Sequence, residues 1–357
     1  MTSHARGLDR SAPPEPARGG DPLRNYWHPV AWASGLRGGP ASTTLLGERV
    51  VLWRDAGGHP VAASDRCPHR GTALSLGRVD ARGCVVCPNH GWTYDASGAC
   101  VRVPQLAEGV PADRRARLVL YSCEERYGLV WVCLGAPVAD VPAFPEWSDP
   151  GYRHVACAPF TWRTSAARMV ENVADPGRLG YVHDGLPRSR RELVVPAHRV
   201  EQVGDELRTT MTVRAPEPDG GRPVTALAGA RCDDYVLTLP FTVHLASRDE
   251  RDGSHRALFF AAQPHGDGAC TGYCYRSRDF DLSAADEPYA QLQATLAERE
   301  RPIVESQLPV ELPPDPAAEI HMAFDRVAVA YRRALARLLD PVARTLPGGR
   351  RAPRPVP

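Results

Sequence analysis

The sequence has no lysine, so arginine supplies all 43 of its basic residues, and 42 acidic residues balance them. The formal net charge of +1 excludes a general field that would attract nucleic acid or a membrane surface. No run of 18 apolar residues occurs, so no membrane-spanning helix is predicted. The N-terminus also lacks an apolar core resembling a secretory signal. We therefore expect a cytoplasmic protein without nucleic-acid or membrane partners.

The chain of 357 residues is long enough for about two domains. Residues 1–24 are rich in Pro, Gly and Arg, which predicts a disordered segment. Short strand-like runs separated by turns indicate a small β-domain over 25–135. A proline-punctuated linker is predicted over 136–147. Strands followed by helices then predict an α+β domain over 148–342, and the tail 343–357 is predicted to be disordered.

Three helical stretches are predicted in the second domain, near 164–183, 284–307 and 317–340, with several strands between the first two. The Arg332-Arg333 pair of the last helix is predicted to be solvated. The same helix is predicted to bury six residues at helical spacing: Ile320, Phe324, Val327, Tyr331, Leu335 and Leu338.

Two short loops carry the most specific chemical pattern of the chain, Cys67-Pro-His69-Arg-Gly and Cys87-Pro-Asn-His90-Gly-Trp. In each loop a proline follows the cysteine and a glycine lies just past the histidine, so both loops are stiff and able to turn sharply. Two thiolates and two imidazoles are the ligand set of a Rieske [2Fe-2S] cluster, in which the cysteines bind one iron and the histidines the other. The loops therefore predict a one-electron redox centre.

A structural zinc site is the alternative, because Cys84 and Cys87 form a Cys-x-x-Cys pair that His69 and His90 can complete. This alternative leaves Cys67 unused and does not account for the matching prolines and glycines of the two loops. In a reducing cytosol the other cysteines are predicted to be buried as small apolar residues. A packing role is predicted for five of them: Cys100, Cys123, Cys133, Cys270 and Cys274.

The chain resembles the α subunits of Rieske non-haem iron oxygenases over about residues 25–340. Among them it is most similar to the type that demethylates or hydroxylates small aromatic and steroid-like molecules. The CPHRG…CPNHGWTYD block carries this resemblance. Three further stretches support it: Glu171-Asn172-x-x-Asp175, RPIVESQ at 301–307 and VAYRR at 329–333.

The resemblance implies an α+β fold, in which a Rieske β-domain precedes a helix-grip (START-like) catalytic domain. It implies a head-to-tail trimer, in which the cluster of one subunit serves the mononuclear iron of the next. Electrons would come from NAD(P)H through a ferredoxin or a flavin reductase. The iron, held by two histidines and a carboxylate, would activate O₂ to hydroxylate or dealkylate a small aromatic or polycyclic substrate.

The chain departs from this family at the mononuclear iron site. The family motif Glu-Asn-x-x-Asp-x-x-His-x-x-x-x-His aligns with Glu171 to His183, and Arg178 stands where the first iron-binding histidine is expected. A guanidinium stays protonated and has no free lone pair, so Arg178 is not a metal ligand. Asp175 keeps the position at which an acidic residue bridges the neighbouring cluster to the iron. It can instead form a local ion pair with Arg178.

The carboxylate ligand is altered as well, because the resemblance places Glu300 where an aspartate is usual. Leu292, Leu296, Glu300 and Val304 recur every four residues, which predicts that Glu300 faces inward on an apolar stripe. A carboxylate buried in this way needs a cation, a metal or hydrogen bonds.

Two hypotheses follow for this second site. In the first, His183 and Glu300 bind iron with help from Asp175, a water or another side chain, and the protein is an oxygenase. In the second, the site is metal-free and Arg178 pairs with Glu300 or Asp175, as a buried charge requires. The chain would then transfer electrons to a partner α subunit in a mixed trimer, or support it. Arg178 could also hold a substrate carboxylate.

The remaining charged and histidine residues give weaker evidence of a function. The basic stretch 187–193 is predicted to be a solvated loop, with a docking patch for an acidic ferredoxin as the alternative. Five single histidines are predicted to be hydrogen-bonded or exposed rather than metal ligands: His154, His198, His244, His265 and His321.

Overall fold

The computed structural model describes residues 21–180, 182, 194–214, 230–266 and 268–340. Within these ranges the chain forms three antiparallel sheets and three α-helices, and all three helices follow the N-terminal sheets. The predicted fold class, a β-domain followed by an α+β domain, is confirmed. None of the described helices is long and apolar enough to cross a membrane.

The N-terminal region contains two sheets. Its strands are β1 (His28–Trp32), β2 (Ala41–Leu45), β3 (Glu48–Arg54), β4 (Pro60–Ser64), β5 (Arg78–Val79), β6 (Val85–Val86), β7 (Thr93–Tyr94), β8 (Cys100–Arg102), β9 (Leu120–Arg126) and β10 (Leu129–Cys133). A six-stranded sheet has the order β1-β10-β9-β4-β3-β2, and β5 to β8 form a four-stranded sheet. Alternate residues of the larger sheet, such as Val50, Leu52 and Val130, meet in one core. One Cys-His loop precedes β5, and the other connects β6 to β7.

The C-terminal region packs helices on a larger antiparallel sheet. Its described elements are β11 (Arg153–Ala156), β12 (Phe160–Trp162), α1 (Ala166–Ala174), β13 (Glu201–Val203), β14 (Glu206–Arg214), β15 (Ala230–Thr238), β16 (Thr242–Asp249), β17 (His255–Pro264), β18 (Cys270–Arg278), α2 (Glu287–Glu305) and α3 (Arg326–Leu339). The strand order is β11-β18-β17-β16-β15-β14-β13, and β12 also pairs with β18. Met169 and Val170 of α1 join Val243 and Phe260 of the sheet and Tyr331 of α3 in the main core.

Helix α1 is shorter than the helix predicted over 164–183. The Ser165 hydroxyl caps its N-terminus by accepting the Arg168 N–H at 3.2 Å. The helix ends at Ala174, because Asp175 precedes a proline and a proline disfavours helical geometry in the residue before it. A separate 3₁₀ turn follows over Gly177–Gly180.

Helix α3 begins at Arg326 rather than near 317, so the predicted packing of Ile320 and Phe324 is wrong. Ile320 is 89% exposed and Phe324 is 45% exposed. Glu319 has an extended backbone and accepts hydrogen bonds from Arg168 of α1. These bonds hold the segment against α1, so it does not join the helix. The other four predicted residues are buried: Val327, Tyr331, Leu335 and Leu338.

A second expectation about this helix, that Arg332 is solvated, is also wrong. The Arg332 guanidinium is buried and donates to both oxygens of Glu171, at 2.6 and 2.8 Å. It also donates to Glu319 at 2.6 Å. Carboxylates from two other segments surround the charge, which makes its burial tolerable. Arg333, on the outer side of the helix, is exposed as predicted.

The two regions are in direct contact. A 3₁₀ helix spans Pro22–Asn25, at the end of the segment predicted to be disordered. Gln263 of β17 donates to the Thr43 hydroxyl of β2 at 2.7 Å, which joins the two regions. Residues 1–20 and 341–357, which cover most of the predicted disorder, lie outside the described residues.

Candidate functional site

The two Cys-His loops have the same backbone geometry. In each loop the glycine four residues after the cysteine, Gly71 or Gly91, donates its N–H to the carbonyl of that cysteine, at 2.8 and 3.0 Å. Both glycines have φ of +72°, a left-handed conformation that suits glycine. The repeated turn therefore holds Cys67 and Cys87 in equivalent positions.

The four predicted cluster ligands come together. The Cys67 and Cys87 thiols are buried, and Cys67 contributes to the raised pKa of Cys87, which is mainly caused by burial. The His69 and His90 rings are half-buried and adjacent, with centroids 4.6 Å apart. The sulfur ligands thus form a buried pair, and the imidazoles form a second, more accessible pair.

One unsatisfied atom and two neighbouring rings favour a bound group at these residues. His90 Nδ1 is buried and has no hydrogen-bond partner in the described part of the chain, a state that normally requires explanation. Trp92 stacks on His69 at 4.4 Å and holds its ring in place, and the Tyr94 hydroxyl lies 3.3 Å from Cys67 Sγ. The donor set therefore suits a [2Fe-2S] group, with two sulfur and two nitrogen ligands.

The arrangement does not suit the alternative single zinc ion. Within the described ranges, no three His, Cys, Asp or Glu side chains are grouped around one metal position. This is expected where a cluster takes only two protein ligands per iron. Cys84, which zinc would need, instead has its sulfur 3.9 Å from the Arg82 carbonyl oxygen.

Arg178 and Glu300 form a buried ion pair at the second site. Arg178 Nη1 lies 3.1 Å from Glu300 Oε1, and the side chains are 11% and 7% exposed. Arg178 Nε and Nη2 donate to the carbonyl oxygens of Asn172 and Val173 at the C-terminal end of α1. Cations are favoured there, because the carbonyl groups at the C-terminal end of a helix carry partial negative charge.

Asn172 binds the other oxygen of the same carboxylate. Its Nδ2 donates to Glu300 Oε2 at 2.6 Å, so both oxygens of Glu300 already accept hydrogen bonds. The predicted inward orientation of Glu300 is confirmed, because only 6% of the residue is exposed. Arg178 offers no lone pair. The described residues therefore do not fit a mononuclear iron held by two histidines and a carboxylate.

Asp175 lies just after α1 but is not the hydrogen-bonded partner of Arg178. Its Oδ1 accepts the Gly177 N–H at 2.7 Å. Burial raises the pKa of the Asp175 carboxyl, although the Gly177 N–H and the charge of Arg178 oppose this shift. The local ion pair of Arg178 thus forms with Glu300.

Two residues of this site were not predicted, Asn172 and Arg276. Asn172 belongs to the family motif, and its role could have been sought there. Arg276 on β18 donates from Nε to Gln293 Oε1 at 2.9 Å. Burial lowers the pKa of Arg276, and the charge of Arg178 acts in the same direction, whereas Glu300 opposes it. No sequence signal marked Arg276, because β18 is buried on both faces and no single face could be singled out.

The five single histidines singled out in the sequence have no part in the two described sites. His183 and the 187–193 stretch lie outside the described residues. His321 is half-buried, and its Nε2 has no hydrogen-bond partner among the residues that the structure covers. Four other histidines have one ring nitrogen bonded within the chain: His154 to Ser277, His198 to Pro196, His244 to Glu146 and His265 to Thr271.

Comparison with known families gives two matches. Residues 26–122 match the Rieske [2Fe-2S] domain, which includes both Cys-His loops. Residues 162–341 match the vanillate O-demethylase oxygenase C-terminal domain, which includes Arg178 and Glu300.

Similar proteins span nearly the whole chain. Methylxanthine N3-demethylase NdmB of Pseudomonas putida is 31% identical over 87% of this chain and 88% of its own length. Methylxanthine N1-demethylase NdmA of the same species is 30% identical, over 89% and 90%. A solved structure of NdmA from Pseudomonas putida CBB5 with caffeine has a TM-score of 0.78 at 28% identity, covering 89% of this chain and 95% of that one. The chain belongs to the Rieske oxygenase α-subunit family.

Proposed function

We propose that this chain is an electron-carrying member of the Rieske oxygenase family whose second site works without mononuclear iron. One observation carries the proposal: Arg178 and Asn172 occupy the two oxygens of Glu300. A metal could reach this carboxylate only by displacing donors and leaving a buried guanidinium unpaired. Breaking such a pair costs about 3–5 kcal/mol.

The N-terminal site supports the electron-carrying role. Cys67, His69, Cys87 and His90 would hold the cluster, which supplies one-electron transfer when bound. The loop geometry keeps the thiols together and leaves the imidazoles nearer the surface. Electrons would enter from NAD(P)H through a ferredoxin or a flavin reductase.

The electrons would then leave for an acceptor outside this chain. We propose a second α subunit, with a complete set of iron ligands, as a partner in a mixed trimer. Asp175 occupies the family's bridging position, and its backbone hydrogen bond fixes its carboxyl without engaging Arg178. This chain would support the oxygenase reaction of the partner.

Similarity to two N-demethylases over most of the chain favours a second candidate function. In this case the chain itself would use O₂ to hydroxylate or dealkylate a small aromatic or polycyclic molecule. His183 and Glu300, assisted by Asp175, would hold iron. Arg178 would then need to release Glu300 and take a substrate-binding role.

Metal analysis separates the two candidates. We expect about two irons and two sulfides per chain in the purified protein. The Arg178→His variant restores a ligand type and is expected to take up a third iron. Arg178→Gln is the matched control, because it removes the same charge without adding an imidazole. A third iron in the wild-type chain, lost in His183→Ala, would establish the oxygenase function and overturn the proposal.

A further inference from the structure

Cys157 and Cys274 face each other at the edge of the large sheet. The register pairs Ala156 with Tyr275, so the next residue, Cys157, comes opposite Cys274. The Cys157 N–H donates to the Cys274 carbonyl oxygen at 3.0 Å. Opposed residues in such a ladder have Cα atoms about 4.5–5.5 Å apart, and disulfides span about 4.4–6.8 Å. The backbone already suits a disulfide.

The two thiols are free and buried, and each influences the ionisation of the other. The Cys157 sulfur lies 3.6 Å from the Val155 carbonyl oxygen. The hydrogen bond from Cys274 lowers the pKa of Cys157 against the opposing effect of burial, and the Arg276 charge also lowers it. The same contact and burial raise the pKa of Cys274 well above its usual range. Cys157 is thus the more acidic thiol of the pair, and acidity favours the nucleophilic thiolate form.

An opening lies next to this pair. Cys157 lines a surface cavity of about 810 Å³ between the two regions of the molecule, together with Trp32 and Arg54 of the N-terminal sheet. The residue itself is only 2% exposed, which favours small reagents over large ones. A lowered thiol pKa, an adjoining cavity and a nearby second cysteine together are typical of redox-sensitive thiols.

We infer that Cys157 and Cys274 form a reversible redox site that reacts with hydroperoxides. The Cys157 thiolate attacks the terminal oxygen of the hydroperoxide, the O–O bond breaks, and a sulfenic acid and an alcohol (or water) form. The Cys274 thiol then attacks that sulfur and releases water. In total the two thiols lose two electrons and two protons, and the hydroperoxide is reduced.

Oxidation here changes the charge beside the second site. Arg276 interacts electrostatically with Cys157 and also with Glu300 and Arg178. A disulfide removes the ionisable Cys157 thiol from the neighbourhood of Arg276 and leaves the guanidinium in place. The inference goes beyond the proposed function and applies whether or not the second site holds iron.

Treatment of the cluster-loaded protein with hydrogen peroxide, followed by differential alkylation and peptide mass spectrometry, tests the inference. We expect Cys157 and Cys274 to lose alkylation together, to appear as one cross-linked peptide pair, and to recover with dithiothreitol. Cys274→Ser should convert Cys157 to sulfinic acid, because the resolving thiol is gone. Cys270→Ser is the matched control: this thiol is fully buried on the same strand and contacts Met169. It should leave the cross-link unchanged.

The charge of Arg276 gives a second readout. Arg276→Lys should keep rapid oxidation, whereas Arg276→Gln should slow it about tenfold for each unit by which the thiol pKa rises toward its usual value, at a pH below both values. Sulfinic acid at Cys157 in the wild-type chain without any cross-link would overturn the inference. So would two unreacted thiols at a peroxide concentration that has already oxidised the half-buried Cys232.

Discussion

The two sites differ in how their polar atoms are satisfied. In the cluster loops the backbone forms its own turns through Gly71 and Gly91, while His90 Nδ1 remains buried without a partner. At the second site the side chains satisfy one another, because Arg178 and Asn172 bind both oxygens of Glu300. The first site thus keeps an unsatisfied atom that suits a bound group. At the second site the charged side chains already pair with one another.

This difference shows that ligand types alone do not define a metal site. Glu300 is the right kind of residue, faces inward and lies on the expected helix. Its carboxylate is nevertheless paired with the Arg178 guanidinium. Burial makes this pairing strong, since neither charge can be solvated if the pair separates.

Removal of a cluster thiolate should have the largest effect. We expect Cys67→Ser to lose nearly all iron, sulfide and visible absorbance, because two protein ligands hold each iron. Cys84→Ser is the matched control, since this buried thiol lies at the same loops but is not a predicted cluster ligand. Zinc content with the opposite pattern, kept in Cys67→Ser and lost in Cys84→Ser, would favour the zinc alternative.

Truncation of Glu300 should destabilise the folded protein at the second site without affecting the cluster. Glu300→Ala leaves the Arg178 charge buried and unpaired, so the free energy of unfolding should fall by about 3–5 kcal/mol. Chemical denaturation measures this, and iron content should stay at the wild-type value. Glu298→Ala, which removes an exposed pair with Arg301, should cost less than about 1 kcal/mol. Equal losses in both variants would contradict the structural role of the buried pair.

The junction between the two regions should be sensitive to acid. His28 Nε2 bonds to the Leu23 carbonyl oxygen at 2.9 Å, and the ring lies 5.8 Å from that of Phe241. Burial lowers the pKa of His28 from 6.5 to about 4, although the Leu23 carbonyl opposes this. The unfolded chain therefore takes up a proton at pH values where the folded chain does not. Stability should fall by about 3 kcal/mol as pH drops from about 6.5 to 4.

Denaturation of His28→Gln over this pH range is the direct check. Glutamine keeps a donor for the Leu23 carbonyl but does not titrate, so this part of the pH dependence should disappear. His59→Gln serves as the control, because the His59 side chain is 79% exposed. An unchanged pH profile in His28→Gln would show that another group is responsible.

The smallest effect is expected at Asn172. Asn172→Ala removes one hydrogen bond to a buried carboxylate and should cost about 2 kcal/mol. Gln291→Ala removes an amide-to-carboxylate bond of similar length, 2.8 Å, on the exposed surface of α2 and should cost under about 0.5 kcal/mol. In the Glu300→Ala background the Asn172 effect should shrink. A full effect there would mean that Asn172 acts through other contacts.

Sequence reasoning succeeded where the signal was local. The inward positions of Glu300 and Val304 were predicted correctly, but Leu292 and Leu296 of the same predicted stripe are only half-buried, and Gln293 and Ala297 are buried in their place. Four residues from Val327 to Leu338 were also correctly predicted to be buried. It failed where distant segments compete for the same residues. Glu319 accepts a hydrogen bond from Arg168, so Ile320 lies outside the helix. Arg332 is buried because it pairs with Glu171.

The sequence by itself determined the family, the order of the two domains and the four residues suited to a cluster, because these depend on motifs and short-range periodicity. It also identified Arg178 as unable to bind metal, since that follows from the chemistry of a guanidinium. Only the tertiary structure decided that Arg178 and Asn172 both bind Glu300, and that Cys157 lies opposite Cys274. Those contacts join residues far apart in the chain, and only the packing of α1, α2 and the sheet brings them within hydrogen-bond distance.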